Sequence, residues 1–130
     1  INSVAEALPF PDCSFDFVLM VTTICFLDDI DAAFKEAHRV LKPGGSFIIG
    51  FVDRESSLGR LYKQRKKKNV FYKEATFYSV EEVVLHLKKA GFKNFRFTQT
   101  IFQKLENINR VEEAKPGYGK GSFVVIRAVK

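Results

Sequence analysis

Apolar positions follow three different rhythms along this chain. Phe15 to Val21 (FDFVLMV) is apolar at every position but Asp16, the pattern of a strand covered on both faces, as a parallel sheet requires. Ser46 to Val52 (SFIIGFV) is a second nearly continuous run. Between them, Ile30, Ala33, Phe34, Ala37, Val40 and Leu41 recur at helical spacing. Asp28 or Asp29 is placed to cap the start of that helix, and Pro43, Gly44 and Gly45 to end it. Strand, helix and strand joined by short turns make a βαβ crossover, so the sheet is at least partly parallel.

The second half changes rhythm. Ser79 and Glu82 form a capping box, with Tyr78 and Val83 as the apolar pair that brackets it. Val83, Val84, Leu87 and Ala90 then carry a buried helical stripe up to Gly91. Lys93 to Phe102 alternates, with Phe95, Phe97 and Ile101 on one side and Arg96, Thr98 and Thr100 mostly on the other, which predicts an exposed or edge strand. Ser122 to Val129 predicts a last strand. The polar stretch before it, ending in PGYGKG, predicts a long surface loop. Its glycines and Lys120 suggest a phosphate cradle, but such cradles lead into a helix and this one leads into a strand, so a tight turn is the better reading.

Composition narrows the class. The 130 residues suit one domain, and 46% hydrophobic with 28% charged residues predicts an ordinary soluble globular protein. The sequence has no apolar run long enough for a membrane span and no signal-like start. Cys13 and Cys25 make neither a disulfide framework nor a metal site, so we expect no metal and a cytoplasmic location. The net charge of +6 hides a division: residues 1–59 hold four Lys/Arg against nine Asp/Glu, and residues 60–130 hold seventeen against six. The strongest basic run spans Arg60 to Lys68. Leu58, Leu61, Tyr62 and Arg65 within it keep helical spacing, so a solvated helix face competes with a nucleic-acid surface.

In this order, AEALPFPDCSFDFVLM, FLDDIDAAFKEAHRVLKPGG, SFIIGFV and the closing pair KNFRFTQTIF and SFVVIRAV resemble the carboxyl-terminal part of a class I S-adenosylmethionine-dependent methyltransferase of the type 11 group. Glu36, Arg39 and the run Val40 to Gly45 leading into a strand are the most specific part. The resemblance implies an α/β fold: a partial Rossmann-like sheet, parallel strands plus a terminal antiparallel strand, with flanking helices. It makes residues 1–130 a single incomplete domain whose first three strands are absent. It also implies S-adenosylmethionine as cofactor and S-adenosylhomocysteine as product. Carried over residue by residue, Ala5 and Glu6 match positions along the adenine edge, and Met20, Val21 and Thr22 match the strand end beside the methionine part.

Methyl transfer from a sulfonium is mostly in-line positioning, so no catalytic residue is assigned. Thr23, Cys25, Arg54 and Tyr62 are substrate-side candidates, because they follow the carboxyl ends of the two apolar strands or lie on the helix after them. Each has a plainer role: Cys25 as a small buried hydrophobe, Arg54 as a partner of Glu55 or Asp53. His38 and His86 read as ordinary helix residues. The family's glycine-rich turn and ribose-binding acid have no counterpart here. We therefore expect an excerpt of a longer enzyme acting on a small-molecule acceptor. A cofactor-free binding or scaffold module, and a polyanion or RNA-binding fragment using residues 60–73, are the alternatives. The isolated fragment, with FDFVLMV unpaired on one side, is expected to form a homodimer or a strand-swapped assembly.

Overall fold

The computed structural model describes residues 2–66 and 74–130. The basic segment's Lys67 and Lys68, and Phe71 and Tyr72 of the proposed RNA-binding region, lie outside the described residues. Strand β1 (Phe15–Val21), helix α1 (Ile30–Val40) and strand β2 (Leu41–Val52) form the βαβ unit, and β1 and β2 are parallel, with Val18 opposite Phe47 and Val21 opposite Gly50. Helices α2 (Ser57–Arg65) and α3 (Val80–Lys89) follow, then strands β3 (Lys93–Thr100), β4 (Lys115–Pro116) and β5 (Phe123–Val129). Among the described residues the sheet order is β1-β2-β5-β3-β4, and every pair after the first is antiparallel.

Helix α1 starts where Asp29 accepts a hydrogen bond from Ala32 N–H. It ends at Val40, three residues before Pro43, and Leu41 is already the first residue of β2, though fully buried as its helical spacing predicted. Helix α3 carries the complete capping box between Ser79 and Glu82. The two helices lie together over one face of the sheet. Phe34 of α1 meets Phe47 of β2 edge-on at 5.3 Å, and Phe92 after α3 closes on the same ring at 5.3 Å. Because side chains alternate along a strand, Met20, Ile49 and Ile126 point into this layer with them. Truncating a buried phenylalanine of this kind costs about 3–5 kcal/mol. His86 Nδ1 on α3 is in hydrogen-bond contact with Asp31 Oδ1 on α1 at 2.7 Å, a cross-helix role its helical position alone did not announce. His38 packs edge-on against Phe92.

The opposite face explains a correction. β1 is covered on one face only: Phe17, Leu19 and Val21, which share its other face, are 64%, 65% and 49% exposed. Near-continuous apolar sequence signals two faces that want cover, and the described chain supplies cover for one. β3 is largely exposed, as expected, and the two-residue β4 pairs only with Thr98 and Gln99 at its end. Ile101, expected within the strand, lies just beyond its end. The strand ends at Thr100 and Ile101 turns to φ 61°, so Gln99 takes the buried position instead. The Gln99 amide fastens the glycine turn: it donates to Pro116 O at 3.1 Å and accepts from Lys120 N–H and Gly121 N–H at 2.9 and 2.8 Å. The PGYGKG segment is thus a tight turn with three of its backbone donors already satisfied, Gly117 N–H by Phe97 O and those of Lys120 and Gly121 by Gln99.

Candidate functional site

The parallel pair points its carboxyl ends at a cavity of about 420 Å³. This is where open α/β sheets place their ligands. Five segments wall it: the turn after β1 with Thr22 and Cys25, the end of β2 with Phe51, helix α2 with Leu58 and Tyr62, the stretch before α3 with Phe77 and Tyr78, and the residues flanking the β3–β5 pair with Ile101 and Phe123. Most of these walls are aromatic or aliphatic. Among the described residues the lining contains no Asp, Glu, His, Lys or Arg.

Two wall residues have backbones that β-branched side chains rarely tolerate: Thr22 at φ 51° and Ile101 at φ 61°. Left-handed geometry costs such residues on the order of 1–3 kcal/mol, and it persists only when neighbours hold it. Thr22 is held by its own N–H, which donates to Gly50 O at 2.8 Å, and by its hydroxyl, which donates to Val21 O at 2.8 Å. Ile101 O accepts from Ser122 N–H at 2.8 Å. The strain therefore sits at the cavity mouth, where it sets the direction of both side chains.

Cys25 lies in a short 3-10 turn (Ile24–Phe26) whose carbonyl at Cys25 accepts from Thr76 N–H at 2.8 Å. Burial pushes its thiol pKa up, so it stays protonated and poorly nucleophilic. Burial, assisted by the Glu82 and Asp31 charges, also raises the Tyr78 phenol, leaving it a neutral hydroxyl. Arg54 stands away from the cavity lining. It pairs with Glu82 at 2.6 Å and Glu55 at 3.2 Å and so ties the end of β2 to the start of α3. Burial works to lower its pKa, but the Glu55 hydrogen bond and the Glu82 charge outweigh that and raise it. Thr23 donates to Val21 O at 2.9 Å and does not line the cavity. Of the four substrate-side candidates, the structure brings Cys25 and Tyr62 together there.

Comparison with known proteins gives this site a context. A methyltransferase-domain family model matches residues 1–49. A crystal structure from Thermotoga maritima, described as a SAM-dependent methyltransferase and possible histamine N-methyltransferase, matches at 54% identity and a TM-score of 0.98, covering 100% of this chain and 63% of that one. An uncharacterized protein of Methanocaldococcus jannaschii is 49% identical over 130 residues, 63% of its own length. The ubiquinone/menaquinone biosynthesis C-methyltransferase of Rickettsia bellii is 37% identical over 112 residues, which are 72% of this chain and 45% of that protein. This chain is similar to S-adenosylmethionine-dependent methyltransferases. It spans 45% to 63% of the length of these relatives.

The residues expected along a cofactor edge lie at the start of the chain and at the end of β1. Ala5 packs against the core, and Glu6 Oε1 accepts from the N–H groups of Asp28 and Asp29 at 3.1 and 3.3 Å. Met20 is buried, and Val21 and Thr22 are exposed at the strand end. What holds Ala5 and Glu6 in place is the most family-like part of the sequence. Arg39 donates to Leu8 O, Phe10 O, Glu36 and Asp12, while Glu36 accepts from Leu8 N–H at 2.7 Å. The hydrogen bonds from Arg39, with that from Leu8, keep the Glu36 carboxyl below its usual pKa. Of these five residues Glu6 and Thr22 carry hydrogen-bonding side chains; Glu6 has one carboxylate oxygen already engaged and Thr22 its hydroxyl proton.

Sequence reasoning missed Phe51, Phe77, Phe123 and Ile101 as site residues. The signal for Phe51 and Phe123 was present, since they stand at the strand ends that meet at the cavity. No local pattern marks Phe77.

Proposed function

We propose that this chain forms the acceptor side and adenine edge of a S-adenosylmethionine-dependent methyltransferase acting on a small molecule. The observation that carries the reading is the aromatic cavity set directly beyond the parallel strand ends, next to the residues that match the cofactor edge. The relatives' descriptions as SAM-dependent methyltransferases support the same donor. When bound, the cofactor supplies an activated methyl group with a good leaving group. Ala5, Glu6, Met20, Val21 and Thr22 would border it.

The chain's own residues then do three things. The aromatic walls, Phe51, Phe77 and Phe123 among them, exclude water and take up apolar surface. The Thr22 turn fixes where the acceptor meets the strand end, which is the positioning that such a transfer mainly requires. Tyr78 and Cys25 offer neutral polar groups that orient without taking a proton. Among the described residues the lining holds no carboxylate or imidazole, and an acceptor that loses its proton readily or carries a lone pair suits such a wall.

One relative is described as a possible histamine N-methyltransferase and another as a quinone-pathway C-methyltransferase. An alkylamine acceptor is cationic at neutral pH, and among the described residues the cavity lining holds no carboxylate to receive it. A neutral ring system meets no such conflict. The test is calorimetric titration of the full gene product with S-adenosylhomocysteine. We expect one site per chain; absence of heat, with the protein shown to be folded, would favour the cofactor-free binding module.

A further inference from the structure

The aromatic cavity has a neighbour of opposite character. A groove of about 580 Å³ runs along α2 and the residues after β3, and Leu58 and Leu105 line both spaces. Arg60 and Arg65 of α2, with Lys104 and Lys120, line this groove, and Glu106 is the single acid among its lining residues. Among the described residues no ion pair joins any of these four cations to a carboxylate. Other described cations divide: Arg39, Lys42, Arg54 and Lys89 are paired with carboxylates, while Lys35, Lys93, Arg96 and Arg127 among others join no ion pair, so what distinguishes the groove is that four such cations line one space. The groove floor is apolar, with Leu61 and Phe102 beside Leu58.

We propose that the acceptor is an amphipathic anion: an apolar ring or chain seated in the aromatic cavity, continuing over Leu58 and Leu105 to a carboxylate, sulfonate or phosphate held by Arg60, Arg65, Lys104 and Lys120. This rests on reading the cavity as the acceptor site. The two spaces together exceed what a single compact ring fills, and they divide their chemistry at the shared leucines: uncharged walls on one side, unpaired cations on the other. A cationic amine is disfavoured by both. Arginine and lysine in a half-exposed groove act on a single anionic group with modest strength, so the groove selects among ligands whose apolar bodies bind alike.

The experiment measures binding of two fluorescent probes to the full gene product, 1-anilinonaphthalene-8-sulfonate and its uncharged counterpart N-phenyl-1-naphthylamine. The wild-type protein is expected to prefer the sulfonate by about tenfold, from a few exposed ion contacts worth a few-fold each. Arg60→Glu with Lys104→Glu should abolish that preference while the neutral probe keeps its affinity. Lys35→Glu, a charge reversal on the exposed side of α1, should leave the ratio unchanged. Equal affinity of the two probes for wild-type protein would overturn the proposal, as would a preference that survives the double reversal. Displacement of the sulfonate by a short single-stranded RNA, with affinity falling steeply as salt rises, would also overturn it in favour of a polyanion surface. Failure to bind S-adenosylhomocysteine would strike the methyltransferase reading alone, because the probe ratio does not depend on it.

Discussion

Gly59, in the first turn of α2, is where the fold and the candidate site depend on the same atom. A Cβ built there would lie 2.0 Å from Asp53 O, 2.8 Å from Arg54 Cα and 2.9 Å from Arg54 C. These are backbone atoms that cannot swing aside. Asp53 O is moreover engaged by Ser56 N–H at 3.0 Å and by the Ser56 hydroxyl at 2.6 Å. Two effects of opposite sign meet in Gly59→Ala. Helix propensity favours alanine by at most about 1 kcal/mol. Restoring an ordinary contact distance requires α2 to move by more than an ångström, and overpacking of this sort costs about 1–3 kcal/mol or more. With the clash against backbone on all three contacts, the upper end applies, and we expect a net loss of about 2 kcal/mol. For a chain of this length that lowers the unfolding midpoint by roughly 5–10 °C. Since Leu58 and Tyr62 wall the cavity, ligand affinity should fall as well. Urea unfolding of the variant beside Gly44→Ala gives the comparison. An added Cβ at Gly44 meets nothing within 4 Å, and its cost is the φ of +80° alone, about 1 kcal/mol. A Gly59→Ala protein as stable as wild type, or more stable, would refute the close approach.

Asp53 is 4% exposed, and burial, with the Glu81 and Glu55 charges, raises its pKa above 3.8. A carboxyl raised in the folded state lends stability that is full below its unfolded pKa and is lost as pH rises through its folded value. Asp53→Asn keeps an acceptor for Glu55 N–H, so it should flatten the stability profile in that window and leave neutral-pH stability equal or higher; a clear loss at neutral pH would count against the assignment. Cys25, half-buried with a raised pKa, should react with iodoacetamide at least tenfold more slowly at pH 8 than exposed Cys13, as read by peptide mass spectrometry. The 130-residue chain alone should self-associate through β1, and Phe17→Lys with Leu19→Lys should return it to a monomer in light scattering; a wild-type monomer would contradict this.

What the sequence disclosed and what it hid follow one physical division. The βαβ unit and the α3 capping box were legible because each is written in residues a few positions apart: Asp29 with Ala32, Ser79 with Glu82. The parallel pairing followed from two apolar runs joined by one amphipathic helix. The Gln99 anchor was not legible, because a polar residue in an alternating strand looks solvated until its partners at Pro116 and Gly121 are known. Two-residue β4 is too short to have a period. The cavity is assembled from five separated segments, and its two strained residues, Thr22 and Ile101, are strand formers by composition; only tertiary contacts impose their left-handed backbone. Arg54 pairs with its neighbour Glu55, as its plainer reading had it, and also with Glu82, which is far along the chain and so not marked by the sequence.

The claim that most of this depends on is methyl transfer to a small acceptor seated beyond Thr22. Its direct measurement is incubation of the full gene product with methyl-tritiated S-adenosylmethionine and the low-molecular-weight fraction of a cell extract, in parallel with Thr76→Trp, which places an indole on the exposed rim of the cavity. The account predicts tritium in the small-molecule fraction with wild-type protein and at least a tenfold loss with the variant. Tritium recovered only in macromolecules, or equal small-molecule labelling by both proteins, would contradict it.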